Sequence, residues 1–292
     1  MKRATLLHLR IPFSFFLLPV FLFAWSIKPY TEWWLLVSTF VILHFLLYPA
    51  SNGYNSYFDK DEESIGGLKH PPKVSLELYR VALIMDVLAL VWGLLINWEF
   101  ALMLFVYGMV SKAYSHPSVR LKKMPYIGWL AAGIFQGYFT FLMAYMGMHD
   151  EGWNALGGWE IQIPAILSTV LLFGSYPMTQ VYQHEEDGRR GDETISRKLG
   201  ILGTFHFTAA AFAVASGGFV YYFVQYYTWT TAFIFLGVLT PVLIFFTNWY
   251  FKVRQNVQKA DFTHTMQLNL LSSLMFNLFF SGMAAFSLLR LT

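Results

Sequence analysis

Apolar residues run along this chain in long blocks rather than alternating with polar ones. Nine such blocks stand out, roughly Leu6–Ile27, Trp33–Pro49, Val81–Asn97, Phe100–Ala113, Tyr126–Met148, Ile161–Tyr182, Ile201–Tyr222, Thr230–Phe251 and Met266–Leu289. A helix that crosses a bilayer needs about 20 mainly apolar residues, with a range near 17–25. The pattern therefore predicts an all-α membrane protein with nine transmembrane helices. The fourth block is short and is parted from the third only by Trp98 and Glu99, which predicts a tight hairpin. The first block follows a basic start and carries no small-residue cleavage site, so it is read as a retained helix rather than a signal peptide.

Composition agrees with the pattern. Mean hydropathy is +0.47, and only 13% of residues are charged, about half the roughly 25% of a soluble domain. With so few charges, lipid must solvate much of the surface. The chain has no cysteine, which excludes disulfides, thiolate metal sites and a cysteine nucleophile. The net charge of +3 gives no case for nucleic acid.

The distribution of charge is more informative than its sum. With nine spans, 18 of the 20 Lys and Arg residues fall on one side, and only Lys28 and Arg290 fall on the other. That bias places the N-terminus and the basic loops in the cytoplasm. It predicts a multi-pass protein of a bacterial inner membrane or an equivalent one. No linker or low-complexity stretch divides residues 1–292, which read as one domain.

Two acidic clusters lie at basic-side ends of apolar blocks. In the first, Asn55, Asp59 and Glu63 are spaced i, i+4, i+8, which drifts only about 80° around a helix, so they share a face if the helix continues. In the second, Gln183 and Asp187 are again four apart, with Glu185 and Glu186 between them. Both clusters end even-numbered helices and so can converge. Oxygen ligands among basic residues suit Mg2+, which is held by one or two carboxylates plus substrate phosphates, with cations on the remaining phosphate oxygens. A headgroup bound there would leave a hydrocarbon tail in the bilayer, which suggests a lipid diphosphate. On spacing alone, the clusters read equally well as solvated loops.

These residues resemble motifs of the UbiA-type intramembrane prenyltransferases. The run from Asn55 to Glu63 is similar to the family's N-D-x-x-D-x-x-x-D, with Ser56 and Glu63 in place of two aspartates. The run from Gln183 through Asp187, Gly191 and Thr194 to Leu199 and Gly200 resembles D-x-x-x-D-x-x-x-G-x-x-T with its trailing L-G, although Gln183 replaces an Asp. Tyr114 to Pro125 looks like Y-S-x-P-x-x-R-L-K, and Leu9 to Phe13 also fits. The resemblance covers the whole chain and implies nine helices around a central apolar cavity. It implies an allylic prenyl diphosphate substrate and Mg2+ as cofactor. The acceptor is then a small lipophilic molecule, aromatic or a quinone precursor, drawn from a site bathed in membrane lipid. It further implies Asn55, Asp59, Glu63, Asp187 and accessory Gln183 as metal ligands, Lys122, Arg120 and Lys69 as diphosphate contacts, and Asp59, Asp187 and Tyr114 as the catalytic group. Lys123, Arg189 and Arg190 read as plain positive-side anchors.

A terpene cyclase of the same family, in which the chain's own alkene captures the cation, is the alternative. A transporter or lipid-binding protein is a third reading, disfavoured because the halves of the helices away from the basic loops are almost wholly apolar. Asp86, inside the third block, is read either as paired with Arg80 or as orienting an acceptor. Gln136 and Asn269 read as helix-to-helix hydrogen-bonding groups.

Overall fold

A computed structural model describes residues 1–289, so Arg290 lies outside the described residues. Every apolar block forms a helix. The first is split: α1 (Arg3–Leu9) and a 3-10 stretch (Ile11–Phe16) precede α2 (Leu18–Ile27), with a 43° bend between the two halves. Pro12 and Pro19 stand at the starts of the two segments after α1, where a missing N–H costs nothing. The remaining elements are α3 (Trp33–Asp59) and α4 (Leu76–Ile96), then α5 (Trp98–Ser115) and α6 (Pro125–His149). They are followed by α7 (Trp159–Met178), the short α8 (His184–Arg190), α9 (Ile195–Tyr226), α10 (Trp229–Gln255) and α11 (Phe262–Leu289).

Among the described residues seven helices are long and apolar enough to cross a membrane, and the bent α1–α2 pair, taken as one span, makes an eighth. The short α5 is the fourth apolar block and is not among those eight. The faces of α4 and α10 turned away from the bundle carry exposed Ile84, Leu94, Phe233 and Ile244. Apolar surface of this extent requires a lipid surround, so the chain is a multi-pass integral membrane protein.

The α4–α5 hairpin turns on one residue. Asn97 is extended, its Oδ1 accepts from the Phe100 N–H at 2.6 Å, and its amide donates to Asp150 Oδ1 at 2.9 Å. This caps α5 and ties the hairpin to the end of α6. Trp33, Trp98, Trp159 and Trp229 are the first residues of α3, α5, α7 and α10, and all four are exposed. They form an aromatic belt at the end opposite the basic loops.

At that belt end the bundle is packed solid with aromatic rings. Phe23 stacks on Phe280 at 4.3 Å and meets Phe141 and Phe219 edge-on or tilted.

Two helices contain π turns, at Ile42–Leu47 in α3 and Phe135–Phe139 in α6. The second has a clear cause. Thr169 of α7 accepts from the Tyr138 N–H at 2.8 Å and donates to the Gly133 carbonyl at 3.0 Å, so its hydroxyl completes backbone groups that the π turn leaves open. Gly137 makes the approach possible, because a Cβ there would lie 2.5 Å from Thr169 Cα.

Gly137→Ala is therefore expected to separate α6 from α7 and to cost about 1–3 kcal/mol. Thermal unfolding in detergent should show a clear drop in Tm. Gly217→Ala, where a new Cβ meets nothing within 4 Å, should leave Tm unchanged or slightly raised.

Candidate active site

The last turns of α3 carry the first acidic cluster. The Asn55 amide donates to Ser115 Oγ at 2.7 Å, which leaves its carbonyl oxygen free for a ligand. Asp59 is the final residue of the helix, buried, with Lys122 Nζ at 2.6 Å and Arg120 Nη1 at 3.8 Å from Oδ1. Lys60 then adopts a left-handed conformation (φ 51°) and ends the helix. The i, i+8 spacing is broken there. Glu63 therefore leaves the shared face and pairs with Arg189 on the surface, while Asp61 turns to the cavity.

Arg120, in the connection between α5 and α6, is also left-handed (φ 45°). Its Nε and Nη2 reach the two oxygens of Asp192 at 3.2 and 2.9 Å, a bidentate fork. Lys122 Nζ is 3.6 Å from the same carboxylate. Asp192 is 1% exposed. Burial by itself would raise its pKa. The Arg120 hydrogen bonds and the charges of Lys122, Arg120 and Lys123 outweigh burial and hold it below the usual carboxylate range.

The second acidic cluster begins after α7. The Gln183 amide donates to the Ser64 carbonyl at 3.2 Å, and Asp187 accepts from Thr194 Oγ1 at 3.5 Å. Arg190 clamps the two clusters together. It pairs with Asp61, and its Nη2 donates to Glu186 Oε1 at 2.6 Å and to the Lys60 carbonyl at 3.3 Å. It is thus a structural tie rather than a plain anchor, and Glu186 is occupied by it. Gly66 and Gly67 (φ 80°) let the loop after Asp61 lie on the Phe13 ring, where a Cβ on Gly66 would sit 2.6 Å from Cζ. The Gly66 carbonyl accepts from half-buried Arg10 at 3.1 Å.

These elements surround a cavity of about 910 Å³. Its mouth, at the basic end, is lined by Asn55, Asp59, Asp61, Lys122, Gln183, Asp187 and Asp192. Below, the wall becomes aromatic and aliphatic, with Phe16, Leu17, Phe135, Phe219, Phe235 and Phe276. Tyr114 lies between the two zones. Its hydroxyl bonds that of Tyr176, which accepts from Gln180 Nε2 at 3.1 Å. Neutral polar side chains also reach the deep wall, among them Gln136, Asn269, Ser272 and Ser273. Gln136 and Asn269 thus face the cavity rather than bridging helices as expected.

The mouth fits a divalent metal of the hard kind. Every donor there is an oxygen, from Asn55, Asp59, Gln183 and Asp187. Among the described residues no group of three or more acidic, His or Cys side chains forms a complete protein cage. A partial all-oxygen set is what Mg2+ uses when substrate phosphates supply the rest.

The structure thus brings together Asn55, Asp59, Tyr114, Arg120, Lys122, Gln183 and Asp187. It does not bring in Glu63 or Lys69. Lys69 is exposed beyond the cavity wall, where only its backbone carbonyl is engaged, by Ser64. Asp86 is paired with Lys112 at 2.5 Å, not with Arg80. Asp61, Asp192 and Arg10 belong to the site and were not singled out as site residues. Arg10 carried a signal in the run from Leu9 to Phe13; the two aspartates carried none beyond their charge.

The UbiA prenyltransferase family model matches residues 16–271. The chain belongs to the UbiA prenyltransferase family. Among solved structures it resembles a UbiA homologue from Archaeoglobus fulgidus bound to GPP and Mg2+ (17% identity, 97% of this chain and 99% of that one, TM-score 0.69). The same homologue bound to DMAPP and Mg2+ gives 17% identity, 97% and 99% coverage and a TM-score of 0.70. A digeranylgeranylglyceryl phosphate synthase is similar at 16% identity, 97% and 98% coverage and a TM-score of 0.63. No curated relative matches the sequence.

Removing the clamp tests its role. Arg190→Ala leaves Asp61 and Glu186 without their cation and is expected to cost about 1–3 kcal/mol after allowance for partial exposure. Amide hydrogen exchange should speed up in the 60–68 loop. Arg189→Ala, which cuts an exposed pair, should leave both exchange and Tm unchanged.

Proposed function

We propose that this chain is a Mg2+-dependent intramembrane prenyltransferase that moves a prenyl group from an allylic diphosphate to a small neutral acceptor, aromatic or a quinone precursor. The observation that carries the reading is the division of the cavity: charged and oxygen-lined at its mouth, aromatic below. Such a cavity matches an amphiphile with an anionic head and a hydrocarbon tail. The GPP and DMAPP bound by the Archaeoglobus homologue support it. The 18 basic residues on the side of the mouth support a cytoplasmic active site, nine crossings and one domain over residues 1–292.

In the reaction, the bond from the allylic carbon to the diphosphate oxygen breaks and its electron pair leaves with the diphosphate. Mg2+ held by Asn55, Asp59, Gln183 and Asp187 would supply neutralisation of that charge. Lys122 and Arg120 stand beside Asp59 to hold the departing oxygens. Tyr114, with its hydroxyl tied to Tyr176, presents a ring and a fixed dipole on the cavity wall. The apolar wall excludes water, which would otherwise capture the cation. The π electrons of the acceptor form the new carbon–carbon bond, and its proton leaves to water at the mouth.

The terpene-cyclase reading is second. Gln136, Asn269, Ser272 and Ser273 in the deep wall favour transfer, because a cyclase folding a pure hydrocarbon has no use for four hydrogen-bonding groups there.

Mg2+-dependent release of diphosphate from a panel of allylic diphosphates, with and without an aromatic acceptor, tests the reading. Asp59→Asn and Asp187→Asn are each expected to lower turnover by at least about 100-fold, or roughly 3 kcal/mol. Glu63→Gln and Lys69→Met, outside the cavity, should stay within about threefold. No release by the folded protein under any condition would sink the enzymatic reading.

A further inference from the structure

Asp192 has no part in the chemistry just described, yet it is among the least exposed acids in the chain. Both its carboxylate oxygens are taken by the Arg120 fork at 3.2 and 2.9 Å. Its carbonyl accepts from Arg197 at 2.5 Å, and its N–H donates to the Asp187 carbonyl at 2.9 Å. Each oxygen is directed at Arg120, with Lys122 Nζ 3.6 Å from Oδ2, so the carboxylate is oriented toward the two cations. What it contributes to the mouth is its negative charge.

That charge changes the balance of the site. Arg120 and Lys122 are the cations beside Asp59, and they face two carboxylates, Asp59 and Asp192. The quartet is neutral. The other cation on the cavity wall, Arg10, already donates to the Gly66 and Asn52 carbonyls and lies within reach of the charges of Asp61 and Asp59. A bare diphosphate therefore meets no surplus positive charge at the mouth. A diphosphate carrying divalent cations meets a set of free oxygens.

We propose that Asp192 is a positioning and specificity-determining residue: it cancels the Arg120–Lys122 charge so that the site retains a diphosphate only together with its metal. The inference rests on the prenyl diphosphate reading of the site. Its benefit would fall after the reaction, when inorganic diphosphate that has shed its metal is no longer held.

The experiment is binding, not turnover. Inorganic pyrophosphate and geranyl diphosphate are titrated calorimetrically into the full-length protein in detergent, once with Mg2+ and once with EDTA. The unaltered protein should bind both with Mg2+ and lose them in EDTA. Asp192→Asn, close to isosteric, should gain metal-free binding by on the order of tenfold, and the gain should shrink as salt is raised. The double variant Asp192→Asn with Arg120→Gln restores neutrality and should return to metal-dependent binding. Melting curves check that each variant is folded, and Asp192→Ser replaces the amide variant if that one does not fold.

Metal-free binding by the unaltered protein would overturn the inference. So would an Asp192→Asn variant as metal-dependent as the parent, or a double variant that keeps metal-free binding. Failure of the unaltered protein to bind either probe with Mg2+ would overturn the functional reading, and the inference with it. That result is distinguishable, because it is seen before any substitution is made.

Discussion

The pairing of Asp59 and Asp192 with Arg120 and Lys122 brings three distant connections of the chain to one point. None of the four could be buried alone, because an uncompensated charge in a low-dielectric site costs several kcal/mol. The end of α3, the α5–α6 loop and the loop after α8 must therefore meet. Once they meet, the mouth of the cavity is defined, and Asn55, Gln183 and Asp187 are carried into it by their helices. Arg190 repeats the same logic on the water side, joining Asp61, Glu186 and the Lys60 carbonyl. The site is thus closed by charge, while the opposite half of the bundle is closed by stacked rings such as Phe23 and Phe280.

Backbone irregularities serve this arrangement. Arg10, Lys60 and Arg120 all adopt left-handed conformations, which cost a non-glycine residue roughly 1 kcal/mol. Each stops a helix or turns a loop where the chain has to bend back over the mouth. Thr169 does the opposite in α6: its hydroxyl fills the gap in a π turn, so the wall can bend without losing hydrogen bonds.

Much of this was legible in the sequence. Long apolar blocks dictate helices because no other element satisfies its own backbone in lipid, and all nine blocks are helical. The charged segments at their ends had to lie together, and Asn55, Asp59, Asp187, Tyr114, Arg120 and Lys122 do. What failed was the extrapolation of helical spacing past a helix end. Glu63 shares a face with Asp59 only if residues 60–63 stay helical, and the left-handed Lys60 decides otherwise. Asp61 took its place for the same reason. Asp192 was invisible because nothing in its neighbours foretells a partner 72 positions away. Asp86 found Lys112 across a hairpin rather than Arg80 on its own helix, since two helices pressed together offer a closer partner than a turn and a half of one.

The tryptophans that begin α3, α5, α7 and α10 act as a depth gauge. Trp33 and Asp59 are the two ends of one helix of 27 residues, about 40 Å long at 1.5 Å per residue. That is close to the full thickness of a bilayer with its headgroups, about 40–45 Å. With the indole rings anchored at one headgroup layer, the carboxylates at the other end reach the opposite headgroup layer and no deeper. On the prenyl diphosphate reading proposed above, the head would therefore be held and released without leaving water, while the chain attached to it would hang in hydrocarbon. The cavity would then separate the two halves of an amphiphile along the same axis on which the membrane itself separates them.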